Sequence, residues 1–85
     1  MSLQSKIEDA LEKSKLKLTV LNPHHKDLTI YYDGVPYLIK AGEQIAVDYF
    51  KAKHFAKHIA NAILESRNKP MTEENRQEIM GSILI

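Results

Sequence analysis

The stretch DLTIYYDGVPYLIK, residues 27 to 40, constrains the fold more than any other part of the chain. Asp33-Gly34 separates two runs of alternating apolar residues, and this dipeptide favours a two-residue hairpin turn, which needs positive φ at its central positions. A turn of fixed length also fixes the register. Tyr32 is then predicted to oppose Val35, Ile30 to oppose Tyr37, and Leu28 to oppose Ile39. These six side chains share one face, expected to look into the core. The opposite face receives Tyr31 beside Pro36 and Thr29 beside Leu38. Pro36 has no backbone donor, so its nitrogen is expected to face out of the sheet or to lie at an irregularity.

The flanking segments supply partners for this hairpin. Before it, Leu16, Leu18 and Val20 alternate with Lys15, Lys17 and Thr19, which predicts a strand ending near Asn22 and Pro23. Further upstream, Leu3, Ile7, Ala10, Leu11 and Ser14 recur at helical spacing, predicting a short amphipathic helix with Ser2 as its cap. After the hairpin, KAGE reads as a turn and QIAV as a strand with Ile45 and Val47 on one face. Asp48 is a plausible N-cap for a long helix, whose face of Ala52, Phe55, Ala56, Ile59, Ala60 and Ile63 should cover the sheet. Asn68 and Pro70 mark its end. Thr72, with Glu73 and Glu74, opens a final short helix that Gly81 stops. The fold class expected is α+β, a single small domain over residues 1–85. In it, a small antiparallel sheet of three or four strands packs with an N-terminal helix, a long helix and a short C-terminal helix.

Size and composition narrow what such a domain can do. A chain of 85 residues buries only a little over ~60% of its unfolded surface, so a deep cleft or a buried cofactor would strain its core. With 44% hydrophobic and 27% charged residues the chain should fold rather than stay disordered. The absence of cysteine excludes disulfides and thiolate metal sites. With no such staple, oligomerisation or docking on a larger assembly is the expected source of added stability. A formal charge of +1 gives no whole-chain footprint for nucleic acid. The amino terminus lacks the apolar run of a signal peptide, and no segment approaches the roughly 20 apolar residues of a membrane span. A soluble protein, not secreted through a signal peptide and without membrane contact, is expected.

The long helix carries the residues that most resemble a site. At roughly 100° per residue, His54 falls nearly opposite the apolar stripe, with His58, Asn61 and Glu65 on the same outward arc. Two imidazoles four residues apart can share a zinc ion, but a stable site wants three or four ligands, and only Glu65, His24 or His25 could be added. The zinc-protease motif puts a glutamate directly after its first histidine, whereas Phe55 stands there and reads as core. The histidines are therefore read as a solvated or partner-facing pair. Lys51, Lys53 and Lys57 make the first half of the helix basic, where the helix dipole mildly disfavours cations. Such a face either solubilises the chain or meets the anionic groups of a partner. On the polar arc no aromatic residue interleaves with the lysines, which argues against stacking on nucleic-acid bases.

Two apolar features complete the inventory. Tyr31, Pro36 and Leu38 form a patch that the N-terminal helix covers or that a partner meets. The tail residues Ile83, Leu84 and Ile85 either fill their own core or extend to a neighbour as an added strand. The sequence carries no glycine-rich phosphate loop and no serine elbow, while Asp33 and Asp48 already have structural tasks. Neither catalysis nor a cofactor is expected.

DLTIYYDGVPYLIKAGE followed by AKHFAKHIANAIL, within residues 27 to 64, resembles small, mostly uncharacterised proteins of tailed phages and their metagenomic relatives. In those proteins a hairpin, an alanine-glycine turn and a histidine-bearing helix run in this order. The resemblance implies a phage setting, in the host cell or the virion, rather than a defined activity. Together with small size and apolar termini it gives the expected function: a non-enzymatic virion-associated or accessory protein that docks on itself or on a larger viral assembly. The alternative is a nucleic-acid-associated accessory protein using Lys51, Lys53, Lys57, His54 and His58.

Overall fold

A computed structural model describes residues 16–85. The helix expected over Leu3 to Ser14 lies outside them. Four strands come first: β1 (Lys17–Leu21), β2 (Leu28–Tyr32), β3 (Val35–Ile39) and β4 (Gln44–Asp48). Two helices follow, α1 (Tyr49–Ser66) and α2 (Glu73–Met80). The class is α+β.

Asp33 and Gly34 take φ of 52° and 76°, as a two-residue hairpin turn requires. β2 and β3 accordingly pair antiparallel with Leu28 opposite Ile39, Ile30 opposite Tyr37 and Tyr32 opposite Val35. Pro36 opposes Tyr31, one step out of phase with the closing pair of the turn, so its missing donor falls on the outer edge of β3.

The expected single sheet is corrected to two ribbons: among the four strands, β1 pairs with β4 and β2 with β3. Lys17 opposes Asp48 and Leu21 opposes Gln44. The chain from Lys17 to Asp48 is thus one long hairpin with a corner in it, where residues 22–27 on one arm face 40–43 on the other. Unequal arms cannot continue a flat ladder, so the ribbon turns. Asn22, whose side chain is fully buried, pins the turn. Its Nδ2 donates to the carbonyls of Lys26 (3.1 Å) and Ile39 (3.0 Å), and its Oδ1 accepts the His24 amide at 3.0 Å. On the short arm, the Glu43 amide donates to the Lys40 carbonyl at 2.9 Å, and Gly42 takes φ of 77°, where a side chain would be strained. The Asp27 carboxylate ties the arms by accepting the Ala41 amide at 2.8 Å.

The bent ribbon packs its apolar face on α1. The helix begins where Asp48 accepts the Lys51 amide at 3.1 Å. Its end is a Schellman turn: Asn68 sits at φ 55°, and the Lys69 amide reaches back to the Leu64 carbonyl at 2.9 Å. Ala52, Phe55, Ala56, Ile59, Ala60 and Ile63 are buried, which is the stripe that the periodicity predicts. Val20, Ile30, Ile39 and Ile83 complete the core against them.

The C-terminal tail belongs to its own fold. Leu84 bridges Val20 antiparallel, the Leu21 amide donates to the Ile83 carbonyl at 2.7 Å, and the Ile85 amide donates to the Thr19 carbonyl at 3.1 Å. β1 therefore has β4 on one side and the tail on the other. Of the two alternatives left open for the tail, Ile83 takes the first, being fully buried in its own core; Leu84 is partly buried against it, and Ile85 alone of the three is exposed.

Candidate functional site

The residues singled out on α1 fall into three environments. Lys51 leans toward the ribbon: its ammonium lies 5.3 Å from the Tyr37 ring centroid and 5.9 Å from that of Tyr32. Tyr37, ahead of Asp48, raises its pKa above the usual lysine value. Lys53 and Lys57 turn to the other flank. There, with His54, Glu73, Arg76, Gln77 and Met80, they line a shallow cavity of about 300 Å³. Asn61, expected on the outward arc as a partner candidate, ties α1 to α2: its Oδ1 accepts from Arg76 Nη1 at 3.1 Å. Arg76 also pairs with Glu73 at 3.0 Å, while hydrogen bonds from Gln77 and then Arg76 hold the Glu73 carboxyl below its usual pKa.

His54 differs from its expected position. It is half-buried rather than turned to open solvent, since the ribbon bends around the helix and brings Tyr31 and Tyr32 to its flank. His54 Nε2 lies 2.7 Å from the Tyr31 carbonyl oxygen. A carbonyl can only accept, so this nitrogen carries the proton. The Tyr32 ring meets the imidazole edge-on, with centroids 5.2 Å apart. His58 is exposed, and its ring lies 4.5 Å from that of His54. Partial burial, then the neighbouring His54 and Lys57, lower its pKa.

Glu65 lies two helical turns beyond His58, about 10 Å along the axis, and does not join this pair. It lines a cavity of about 350 Å³ with His24, His25, Lys26, Leu28, Ala62 and Ser66. The NPHH loop thus does reach α1, but at its C-terminal end. Among the described residues no three histidine, aspartate or glutamate side chains gather as a metal-holding group.

His24, named above only as a possible further ligand, is buried at the corner, where its Nδ1 accepts the Lys26 amide at 3.0 Å. Burial, followed by the nearby His25 and Lys26, lowers its pKa. A histidine whose folded pKa lies below its unfolded value of about 6.5 sheds its proton on folding. Its contribution is complete above that pH and is lost as pH falls through the lowered value. The melting temperature is therefore expected to drop on going from about pH 7 to about pH 5. His24→Gln, which keeps an acceptor but does not titrate, should reduce the drop. Equal slopes for the two proteins in thermal melts followed by circular dichroism would remove His24 from the account.

The outer face of the β2–β3 ribbon is the clearest candidate contact surface. Tyr31 and Leu38 expose 64% and 56% of their surface there, beside exposed Pro36. Val35, on the opposite face at the ribbon tip and expected in the core, is 49% exposed, so the buried face stops short of the turn. Sequence alternation assigned the outer face correctly. The covering that was expected from Leu3, Ile7 and Leu11 lies outside the described residues.

Compared with protein-family models, curated proteins and solved structures, the chain has no match. The phage resemblance accordingly gains no support from a relative.

Proposed function

We propose that the protein is a non-enzymatic docking protein of phage type, virion-associated or accessory, that meets a second copy or a larger viral assembly through the outer face of its β2–β3 ribbon. One observation carries the reading: Tyr31 and Leu38 lie diagonally across the ribbon on the face away from the core, each more than half exposed. Large apolar side chains in that position add little to the fold, but they contribute to affinity once a partner removes them from water. No helix among the described residues is long and apolar enough to cross a membrane. The phage resemblance implies a host-cell or virion setting.

The rival, phosphate binding by the basic face, differs in its response to salt. Counterion release makes phosphate binding weaken steeply with salt, whereas apolar docking does not. In sedimentation measurements the wild-type chain is expected to self-associate with rising concentration, about equally at low and high salt. The double substitution Tyr31→Ser and Leu38→Ser should leave it monomeric with an unchanged circular dichroism spectrum. A wild-type monomer at every concentration would reject self-assembly through this face. Association that collapses with salt would favour the basic surface.

A further inference from the structure

Surface histidines on a helix ordinarily turn freely and share their hydrogen bonds with water. His54 does not. Its Nε2–H is given to the Tyr31 carbonyl at 2.7 Å, and its ring is held between the edges of Tyr32 and Phe55, at centroid distances of 5.2 Å and 6.2 Å. With the proton fixed on Nε2, the lone pair of the neutral ring is on Nδ1. Metal-binding histidines carry this same arrangement: one nitrogen donates to a carbonyl or carboxylate, which orients the ring and raises the basicity of the other. One turn further on, His58 brings a second imidazole to 4.5 Å, with the planes inclined by 52°.

We propose that His54 and His58 form a two-point site for a divalent first-row transition-metal ion, with Cu²⁺ preferred over Ni²⁺ and Zn²⁺. Imidazole suits these ions, and copper heads the affinity order for nitrogen donors. Mg²⁺ and Ca²⁺ want oxygen ligands, and Glu65 is two turns away. Two protein ligands leave the remaining positions to water, so the site is open and exchangeable rather than a closed structural centre. Lys57, adjacent to His58 in the chain, sets its positive charge against an incoming cation, which limits affinity.

The test uses the full chain, Cu²⁺ in substoichiometric steps, and the four histidine ring signals in NMR. Paramagnetic broadening is expected at His54 and His58 before His24 and His25. By calorimetry with Zn²⁺, His58→Gln should weaken binding by about tenfold or more, since losing a ligand costs at least what losing its supporting bond does. His25→Gln should leave it unchanged, and Lys57→Ala should tighten it. His58 is exposed, so an unchanged metal-free melting temperature will show that its variant is folded. Broadening of all four rings together, undiminished binding in His58→Gln, or no binding at all would each overturn the assignment.

Discussion

Asn22→Ala is expected to cost about 3 kcal/mol or more of folding stability, against roughly 0.5 kcal/mol for an ordinary surface change. The loss is large because one short side chain serves three backbone groups. Without it the carbonyls of Ile39 and Lys26 and the amide of His24 lose their partners at a buried corner. Each such group costs about 1–3 kcal/mol when it is desolvated and unpaired, the lower figure applying where water can enter. Asn22→Asp refines the test. It preserves shape and the acceptor for His24, but points a carboxylate oxygen at two carbonyls, which disfavours the charged form. The carboxyl pKa should rise in the folded state. Its penalty is therefore smallest below the unfolded value near 3.9 and grows as pH rises through the folded one. Urea denaturation of both variants beside wild type, across pH, measures this difference. Losses of surface size in both would show that the corner holds without its pin.

The second large effect is expected at Phe55. Its ring is fully buried, 5.2 Å from Tyr37 and 6.2 Å from Tyr32 between centroids, so it joins α1 to the ribbon's inner face. Phe55→Ala removes the transfer energy of the ring and leaves a cavity, for a loss of about 3–5 kcal/mol. The tyrosines cannot easily collapse into the gap, since their strands are held by the turn at one end and the corner at the other. Typical domains have about 5–15 kcal/mol in all, and one this small belongs toward the lower end. A thermal melt should show the variant partly unfolded at room temperature, whereas Phe55→Leu should stay folded with a lower midpoint. A full cooperative transition near the wild-type temperature in Phe55→Ala would contradict this account of the core.

The hairpin register was legible because Asp33-Gly34 encodes a turn of known length, and every pairing between β2 and β3 follows from it. The buried stripe of α1 was legible for a similar reason, since only one helical phase hides Phe55 and the isoleucines together. Asn22 was not. A polar residue before Pro23 reads as the end of a strand, and its most distant partner, Ile39, is 17 residues away. Missing that pin meant missing the corner, and so one sheet was expected where two ribbons stand. The same omission displaced His54. Helical phase puts it opposite the apolar stripe, which is the exposed side only if the sheet beneath is flat. A ribbon that bends reaches round to the flank and takes the imidazole with it. For the tail, apolar character alone could not separate Ile83 in the core from Ile83 on a neighbour, because both remove it from water.

The corner has a kinetic meaning as well. Between Leu21 and Gln44 the chain makes a loop of 22 residues, an appreciable distance for β1 to search before it finds β4. Once the Asp33-Gly34 turn has zipped β2 to β3, only the ten residues of the two corner arms remain open. By the logarithmic dependence of closure entropy on length, that lowers the cost of the second pairing by about 0.7 kcal/mol. Assembly from the tip outward is thus the low-entropy route, with each ribbon serving as the template that shortens the search for the next.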